Sequence, residues 1–525
     1  MTEHVTAHAG GHAPESAGVG EDGHGHGGGR RHWIGLGLGP AILLLTLLVP
    51  PPDGLSPEGW RTAGVGLLMA IFWITEPIPI PATALLPLVL FPLLGLGDIR
   101  TTTAPYANPI IFLFLGGFII ALAMQRWGLH RRIAIALVGR LGTRPAAIIG
   151  GFLLSSGLVS MWVSNTATAL MMLPIAMSVV HLCPPTVGRE GRERRDFSLA
   201  LMLSIAYGAT TGGMATLIGT PPNALLAAYM SEVYQITIGF GQWMLIGVPV
   251  ASVSLVFVYL VLTRVMFKLG AAELPGMAAL IAEERARLGP MRRGEMAAAI
   301  VFVLTAAGWV FQPLVARVVP LASDTSIAIA GALVLFMIPV DLRRGQFVMT
   351  WAATKELPWG VLLLFGGGLS LASYIESHGL ATYLGSLARG LDDLPTMGVL
   401  MIVSFGILLL TELTSNTATA ATFLPITGAL ALSLGENPMP FLVPTALAAN
   451  CSYMLPVGTP PNAIVYGSGV VPLSQMLRAG FILNVVLVPI VVSLLLLLGP
   501  FVFDLQMGLV PAGPERKPCA SNKVQ

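Results

Sequence analysis

Charge is what this sequence has least of. Only 10% of its 525 residues are Asp, Glu, Lys or Arg, where a soluble domain carries about 25%. That shortage excludes an ordinary soluble globular protein. The net charge of +2 says nothing about nucleic acid, and no nucleic-acid partner is expected. Cysteine is scarce too: Cys183, Cys451 and Cys519 show no metal-ligand spacing and no disulfide framework. There is no His-Glu-x-x-His sequence and no Walker loop, so neither a zinc peptidase nor an ATP-driven pump is indicated. Gly95-Leu96-Gly97-Asp98 looks like the Gly-x-Gly-Asp of intramembrane aspartyl proteases, but no second Asp occupies a matching position. The expectation is a protein that is not an enzyme and has no cofactor.

Apolar length is abundant. Hydrophobic residues make up 54% of the chain, and a spanning helix needs about 20 consecutive apolar residues. Leu43 to Val49, Val65 to Ile74, Ala200 to Tyr229, Trp243 to Val265, Ala297 to Val310, Met397 to Leu410 and Phe481 to Leu498 lie in or near such stretches. An all-α polytopic protein of the cell inner membrane is expected, with the lipid bilayer as its partner. The first apolar stretch follows Arg30 and Arg31 and lacks a small-residue cleavage site, so it reads as a retained span. Residues 1–29 are Gly- and His-rich, with His4, His8, His12, His24 and His26. This tail is disordered by composition; a solvated tail and weak metal binding are its two readings. A first transmembrane repeat with an extra N-terminal helix is expected over 30–267. A polar linker follows over 268–295, with Glu283, Glu284, Arg285, Arg287, Arg292 and Arg293. A second repeat covers 296–503, and a polar tail covers 504–525.

The two halves match in sequence. Ser164-Asn165-Thr166-Ala167-Thr168-Ala169 recurs as Ser415-Asn416-Thr417-Ala418-Thr419-Ala420, each followed by Leu-Pro-Ile. Gly219-Thr220-Pro221-Pro222-Asn223-Ala224 recurs as Gly458-Thr459-Pro460-Pro461-Asn462-Ala463. Upstream, Leu115-Gly116-Gly117 and Trp127-Gly128-Leu129 answer to Phe365-Gly366-Gly367 and His378-Gly379-Leu380.

These motifs interrupt membrane segments. Ser164 to Thr166 lie in an apolar run from Ala146 to Val180. That run is roughly 52 Å long as one straight helix, against about 30 Å of hydrocarbon. It must tilt, break or turn back, and Ser-Asn-Thr is where a break falls, because such side chains compete for backbone hydrogen bonds. A break at membrane depth frees carbonyls that can hold a hard cation such as Na⁺. It also leaves a half-helix N-terminus pointing at an anion. Broken helices at equivalent places in two repeats point to a transporter's midplane site. The Pro-Pro pairs remove backbone donors and do the same independently. The Gly-rich segments Asn108 to Gly128 and Pro358 to Gly379 read as re-entrant hairpins; ordinary spans packed through small residues are the alternative.

The paired motifs, with Trp73-Ile74-Thr75-Glu76-Pro77-Ile78-Pro79-Ile80-Pro81, resemble the divalent anion/sodium symporter (DASS) family over about residues 33–503. That family includes the INDY-type dicarboxylate transporters. The resemblance implies two inverted repeats with broken helices and re-entrant hairpins, in an elevator-type transporter that forms a homodimer. It implies Na⁺-coupled symport of a small dianion, such as succinate, malate or fumarate. Dicarboxylate exchange, or sulfate or citrate transport, is the alternative on the same fold. By motif position it places one Na⁺ on Ser160, Ser164, Asn165 and Gly219, and another on Thr411, Ser415, Asn416 and Gly458. Substrate would meet Ser164, Asn165, Thr166, Ser415, Asn416 and Thr417, with Thr220 and Thr459 nearby.

Glu412 sits in an apolar run and is a functional candidate by default. A cation or proton partner and a hydrogen-bonded structural role are both open. Glu76 reads as structural. Arg126, Arg131, Arg132, Arg140 and Arg144 precede the Ser164 segment, and Arg189, Arg192, Arg194 and Arg195 follow it. A single crossing cannot put both clusters inside, so either the segment turns back or the charge bias fails there.

Overall fold

The computed structural model describes residues 30–182, 189–271, 273–387 and 395–503. The His-rich tail, Cys183, Arg189 as a side chain, Cys519 and the C-terminal tail lie outside what is described. Helices α1 (Arg30–Leu48) and α2 (Pro57–Thr75) open the chain. The first half continues with α3 (Pro109–Arg126), α4 (Leu129–Leu141), α5 (Pro145–Ser160), α6 (Asn165–His181), α7 (Arg189–Gly213), α8 (Pro221–Val233) and α9 (Phe240–Leu260). Linker helix α10 (Met277–Leu288) leads to α11 (Arg293–Val310) and α12 (Asp324–Met337). The earlier succession then recurs as α13 (Trp359–Ser377), α14 (Leu380–Leu387), α15 (Thr396–Thr411), α16 (Asn416–Ser433), α17 (Met439–Asn450), α18 (Pro460–Gly467) and α19 (Leu473–Val502). Among the described residues, six helices are long and apolar enough to cross a membrane. Helices α5, α6, α15 and α17 are apolar but shorter. At 16 residues, α5 reaches only about 24 Å.

The short helices are short because they turn back. The Leu274 N–H donates to the Thr143 carbonyl at 3.1 Å. Two residues on, a methyl built on Gly276 would lie 3.4 Å from Leu182. Thr143 precedes α5 and Leu182 follows α6, so both ends of the Ser164 segment meet the same stretch of chain. The segment is a helical hairpin with Ser-Asn-Thr at its tip. In the second half, Thr396 at the start of α15 donates to Glu436, just past α16, at 2.9 Å. That segment is a hairpin too. The Gly-rich segments differ from the expectation: α3 and α13 are single continuous helices, and the re-entrant hairpins are the Ser-Asn-Thr segments. The glycines serve packing instead. A methyl on Gly116 would stand 2.7 Å from Ala328, and Gly367 abuts the Ala84 carbonyl. Small residues let membrane helices approach this closely.

The two hairpins open from opposite ends of α13. At its start, Trp127 donates to the Val348 carbonyl at 2.8 Å and Arg126 to Thr350 at 3.1 Å, placing the base of the first hairpin there. At its far end, Ser56 donates to the His378 carbonyl at 3.2 Å, just before the second hairpin begins. The repeats are therefore inverted. The base of the first hairpin is also where α4 meets α10 through an ion pair from Arg131 to Glu284, and the start of α11 through one from Arg132 to Glu295. The two Arg-bearing flanks and the linker thus sit at one end of the bundle, where Lys268 N–H also donates to Asp196. The Glu76 backbone caps α2 with φ of 50°, its N–H on the Phe72 carbonyl, and its side chain is exposed. Asp98 caps the short helix Ile99–Thr103.

Hairpin geometry has a direct consequence. Cysteines placed at the exposed positions Arg140 and His181, in a background without native cysteines, are expected to react with an impermeant maleimide from the same membrane face. Labelling from opposite faces would mean a single crossing.

Candidate functional site

Each hairpin tip is built on the same pair. Ser160, the last residue of α5, donates its hydroxyl to Asn165 Oδ1. Thr411, the last residue of α15, donates to Asn416 Oδ1 at 2.7 Å and to the Ala449 carbonyl at 2.8 Å. Ser164 and Ser415 are the N-cap residues of α6 and α16. Ser164 accepts from Ala167 N at 3.3 Å, while Ser415 makes no such bond. The N-termini of α6 and α16 thus begin at the motif asparagines, where unsatisfied N–H groups carry partial positive charge. Thr166 and Thr417 are half-buried and make no side-chain hydrogen bond among the described residues.

Next to each tip lies a helix break. Helix α7 ends at Gly213 and α8 starts at Pro221; α17 ends at Asn450 and α18 starts at Pro460. The proline pairs start α8 and α18, where a missing N–H costs nothing. The motif asparagine braces each break. Asn223 Nδ2 donates to the Thr216 carbonyl at 2.8 Å and reaches those of Gly213 and Met214 at 3.3 Å. Asn462 Nδ2 donates to the carbonyls of Ser452 and Leu455, both at 3.1 Å. Motif spacing assigned no part to Asn223 or Asn462, although both lie in the repeated string.

The first tip and the first break converge. A methyl on Gly213 would lie 2.8 Å from Asn165 Oδ1 and 3.1 Å from the Gly219 carbonyl. Thr220 packs on the same point, its buried Oγ1 without a partner among the described residues. The Ser160 hydroxyl, Asn165 Oδ1 and the Gly219 carbonyl are thus brought together as neutral oxygens, the donors a hard cation takes, with the Thr220 methyl beside them. In the second half, Gly458 lies against Ser452 and 3.2 Å from Glu412 Oε2, both measured from a built methyl. Thr459 Oγ1 accepts from Asn462 N at 3.3 Å. The halves also interlock: α18 packs on α6, α8 packs on α16, and Asn450 Nδ2 donates to Asn223 Oδ1 at 2.9 Å.

The sequence supplies neither the partners of Glu412 nor a role for Trp162. Glu412 is buried and receives donors from a segment forty residues away. Trp162 in the first tip stacks edge-on against Phe302 at 5.0 Å and face-on with Trp309, beside Phe240. This docks the first tip against α11 of the other half. The second tip docks reciprocally, with Arg31 bridging the carbonyls of Ile74 and Leu413.

Comparison with known proteins agrees with this architecture. A family model described as the sodium:sulfate symporter transmembrane region matches residues 30–505. The chain is 40% identical over 480 residues to the sodium-dependent dicarboxylate transporter SdcS of Staphylococcus saprophyticus, covering 90% of this chain and 92% of that one. It is 39% identical to SdcS of Staphylococcus aureus strain RF122 over the same shares. Among solved structures, the Alcanivorax borkumensis YdaH transporter aligns with a TM-score of 0.54 at 12% identity, over 90% of this chain and 99% of that one. Neisseria gonorrhoeae MtrF aligns with a TM-score of 0.53 at 12% identity, over 93% and 98%. These two likenesses are of fold.

The braces and the free hydroxyls should separate experimentally. Asn223→Ala or Asn462→Ala strips partners from two or three buried carbonyls, at about 1–3 kcal/mol for each group left bare. Thermal melting of the purified protein is expected to fall clearly for both. Thr166→Ala should leave melting unchanged and raise the substrate KM in uptake assays.

Proposed function

The chain belongs to the sodium:sulfate symporter family, and from that premise we propose that it imports C4-dicarboxylates such as succinate, malate or fumarate by symport with Na⁺. The observation that carries the proposal is the pair repeated at the two hairpin tips, Ser160 on Asn165 Oδ1 and Thr411 on Asn416 Oδ1, each packed against a helix break through Gly213 and the Ala449 carbonyl. The names of the SdcS relatives, sodium-dependent dicarboxylate transporters, support the choice of substrate and ion.

In this reading one Na⁺ is held by Ser160, Ser164, Asn165 and Gly219, and a second by Thr411, Ser415, Asn416 and Gly458. The substrate lies between the tips, its carboxylates on Ser164, Asn165, Thr166, Ser415, Asn416 and Thr417, with Thr220 and Thr459 close by. No Lys or Arg lies within either motif. The dianion is therefore met by hydroxyls, by the N-terminal amides of α6 and α16, and by the two cations. Without Na⁺ those partial charges face two full negative charges taken out of water, which is costly. With Na⁺ the assembly is close to neutral. Coupling follows from that charge balance and requires no direct contact between ion and substrate.

An elevator-type homodimer belongs to the same proposal. Helices α5–α9 and α15–α19 interlock across the halves and form the moving part. Helices α1, α2, α11 and α12 form the frame against which the tips dock.

Uptake of labelled succinate into proteoliposomes is expected under an inward Na⁺ gradient and not when choline or K⁺ replaces Na⁺. Unlabelled fumarate and malate should compete, and sulfate should not. Equal uptake in choline would remove the coupling; competition by sulfate with none by fumarate would change the substrate class.

A further inference from the structure

We propose that Glu412 makes the two cation sites unequal, so that the second site, at Asn416 and Gly458, fills with Na⁺ before substrate arrives. The first site, at Asn165 and Gly219, fills only together with substrate. This rests on the Na⁺-symport reading above and adds an order of binding to it.

Among the differences between the two hairpin tips, one introduces a charge. Ser160-Met161 in the first answers to Thr411-Glu412 in the second. Met161 offers only its carbonyl, which accepts the Thr216 hydroxyl from the first break. Glu412 offers a carboxylate, 3% exposed. Its Oε1 accepts from Tyr453 N at 2.8 Å, Met454 N at 2.9 Å and Asn484 Nδ2 at 2.7 Å. Its Oε2 accepts from Ser452 Oγ at 3.1 Å, Met454 N at 3.1 Å and Leu455 N at 3.0 Å. Every partner is a donor, the set an acceptor-only carboxylate takes. No Arg, Lys or His is among them.

Two consequences follow. The amides of the second break are turned inward on Glu412, so they are not available to an anionic substrate. In addition, a negative charge sits beside Gly458, whose built methyl would lie 3.2 Å from Glu412 Oε2. The atoms nearest the matching methyl on Gly219 are those of the Gly213 backbone. A cation at the second site therefore feels a fixed opposite charge in a medium that screens poorly. A cation at the first site has only neutral oxygens until a carboxylate arrives. Glu412 has its lone pairs engaged by protein donors, so it acts on the site through its charge and through the break it holds. It is a positioning residue and is not a ligand.

Na⁺ titration of the melting temperature of the purified full chain tests this, without substrate and with choline keeping ionic strength constant. The wild type is expected to be stabilised by Na⁺. Asn165→Ala should keep that response at the same half-saturating concentration, and Asn416→Ala should lose it. Glu412→Gln should raise the half-saturating Na⁺ concentration about tenfold or more, and Glu412→Asp should restore most of it. A purely structural role for Glu412 predicts instead a lower melting temperature in choline at unchanged half-saturation, and that result would overturn the proposal. So would loss of the response in Asn165→Ala with retention in Asn416→Ala. The asparagine pair leaves Glu412 in place and decides the order even if Glu412→Gln does not fold. A wild type that melts alike in Na⁺ and choline would instead remove the Na⁺ reading itself.

Discussion

Backbone polar groups cannot be left bare inside a membrane, and the whole site depends on how this chain meets that constraint. Two hairpin tips and two helix breaks expose carbonyls and amides at depth, where each unpaired group costs about 1–3 kcal/mol. The breaks survive because Asn223 and Asn462 gather the loose carbonyls, and because Glu412 gathers the loose amides of the second break. What these braces leave uncovered is a small set of neutral oxygens beside each tip. The site is thus the residue of a folding problem solved almost completely.

The braces also couple the halves. Asn223 in the first break accepts from Asn450 at the edge of the second, and Thr211 pairs with Tyr453 at 2.9 Å. Tyr207 and Tyr453 meet edge to face in the same fully buried seam. Meanwhile each tip docks on a helix of the opposite half, the first on Trp309 and the second near Ile74. The two breaks are therefore packed against each other as one buried unit. The ion pairs of α4 with α10 and with the start of α11 tie this stretch to the base of the first hairpin, outside this seam.

Much of this was legible in the sequence because the chain repeats itself. Ser164 to Thr166 and Ser415 to Thr417 are where regular helix stops, and the Pro-Pro pairs start the half-helices, as local chemistry requires. Periodicity could not distinguish a kinked span from a hairpin, since both read as long apolar runs with a polar interruption. The Arg clusters on both flanks of the Ser164 segment held that information, and the hairpin accounts for them. The glycines of α3 and α13 misled in the other direction: Gly116 and Gly367 bring helices together, and nothing local separates that use from a turn. Glu412 was visible as an anomaly, but its partners at 452–455 and 484 are set by tertiary structure. Trp162 gave no signal at all, since an aromatic residue in an apolar run is unremarkable until its neighbours are known.

The central claim is that two inverted hairpin tips, made of neutral oxygens and helix N-termini, hold one dianion with the help of Na⁺. The most direct measurement is a pair of experimental structures of the protein with succinate, one in Na⁺ and one in choline. The account predicts substrate density in the Na⁺ structure within hydrogen-bonding distance of Thr166 and Thr417, cation density at Asn165 and Asn416, and no ordered substrate in choline. Substrate bound equally in choline, or held away from both tips by arginine side chains, would contradict it.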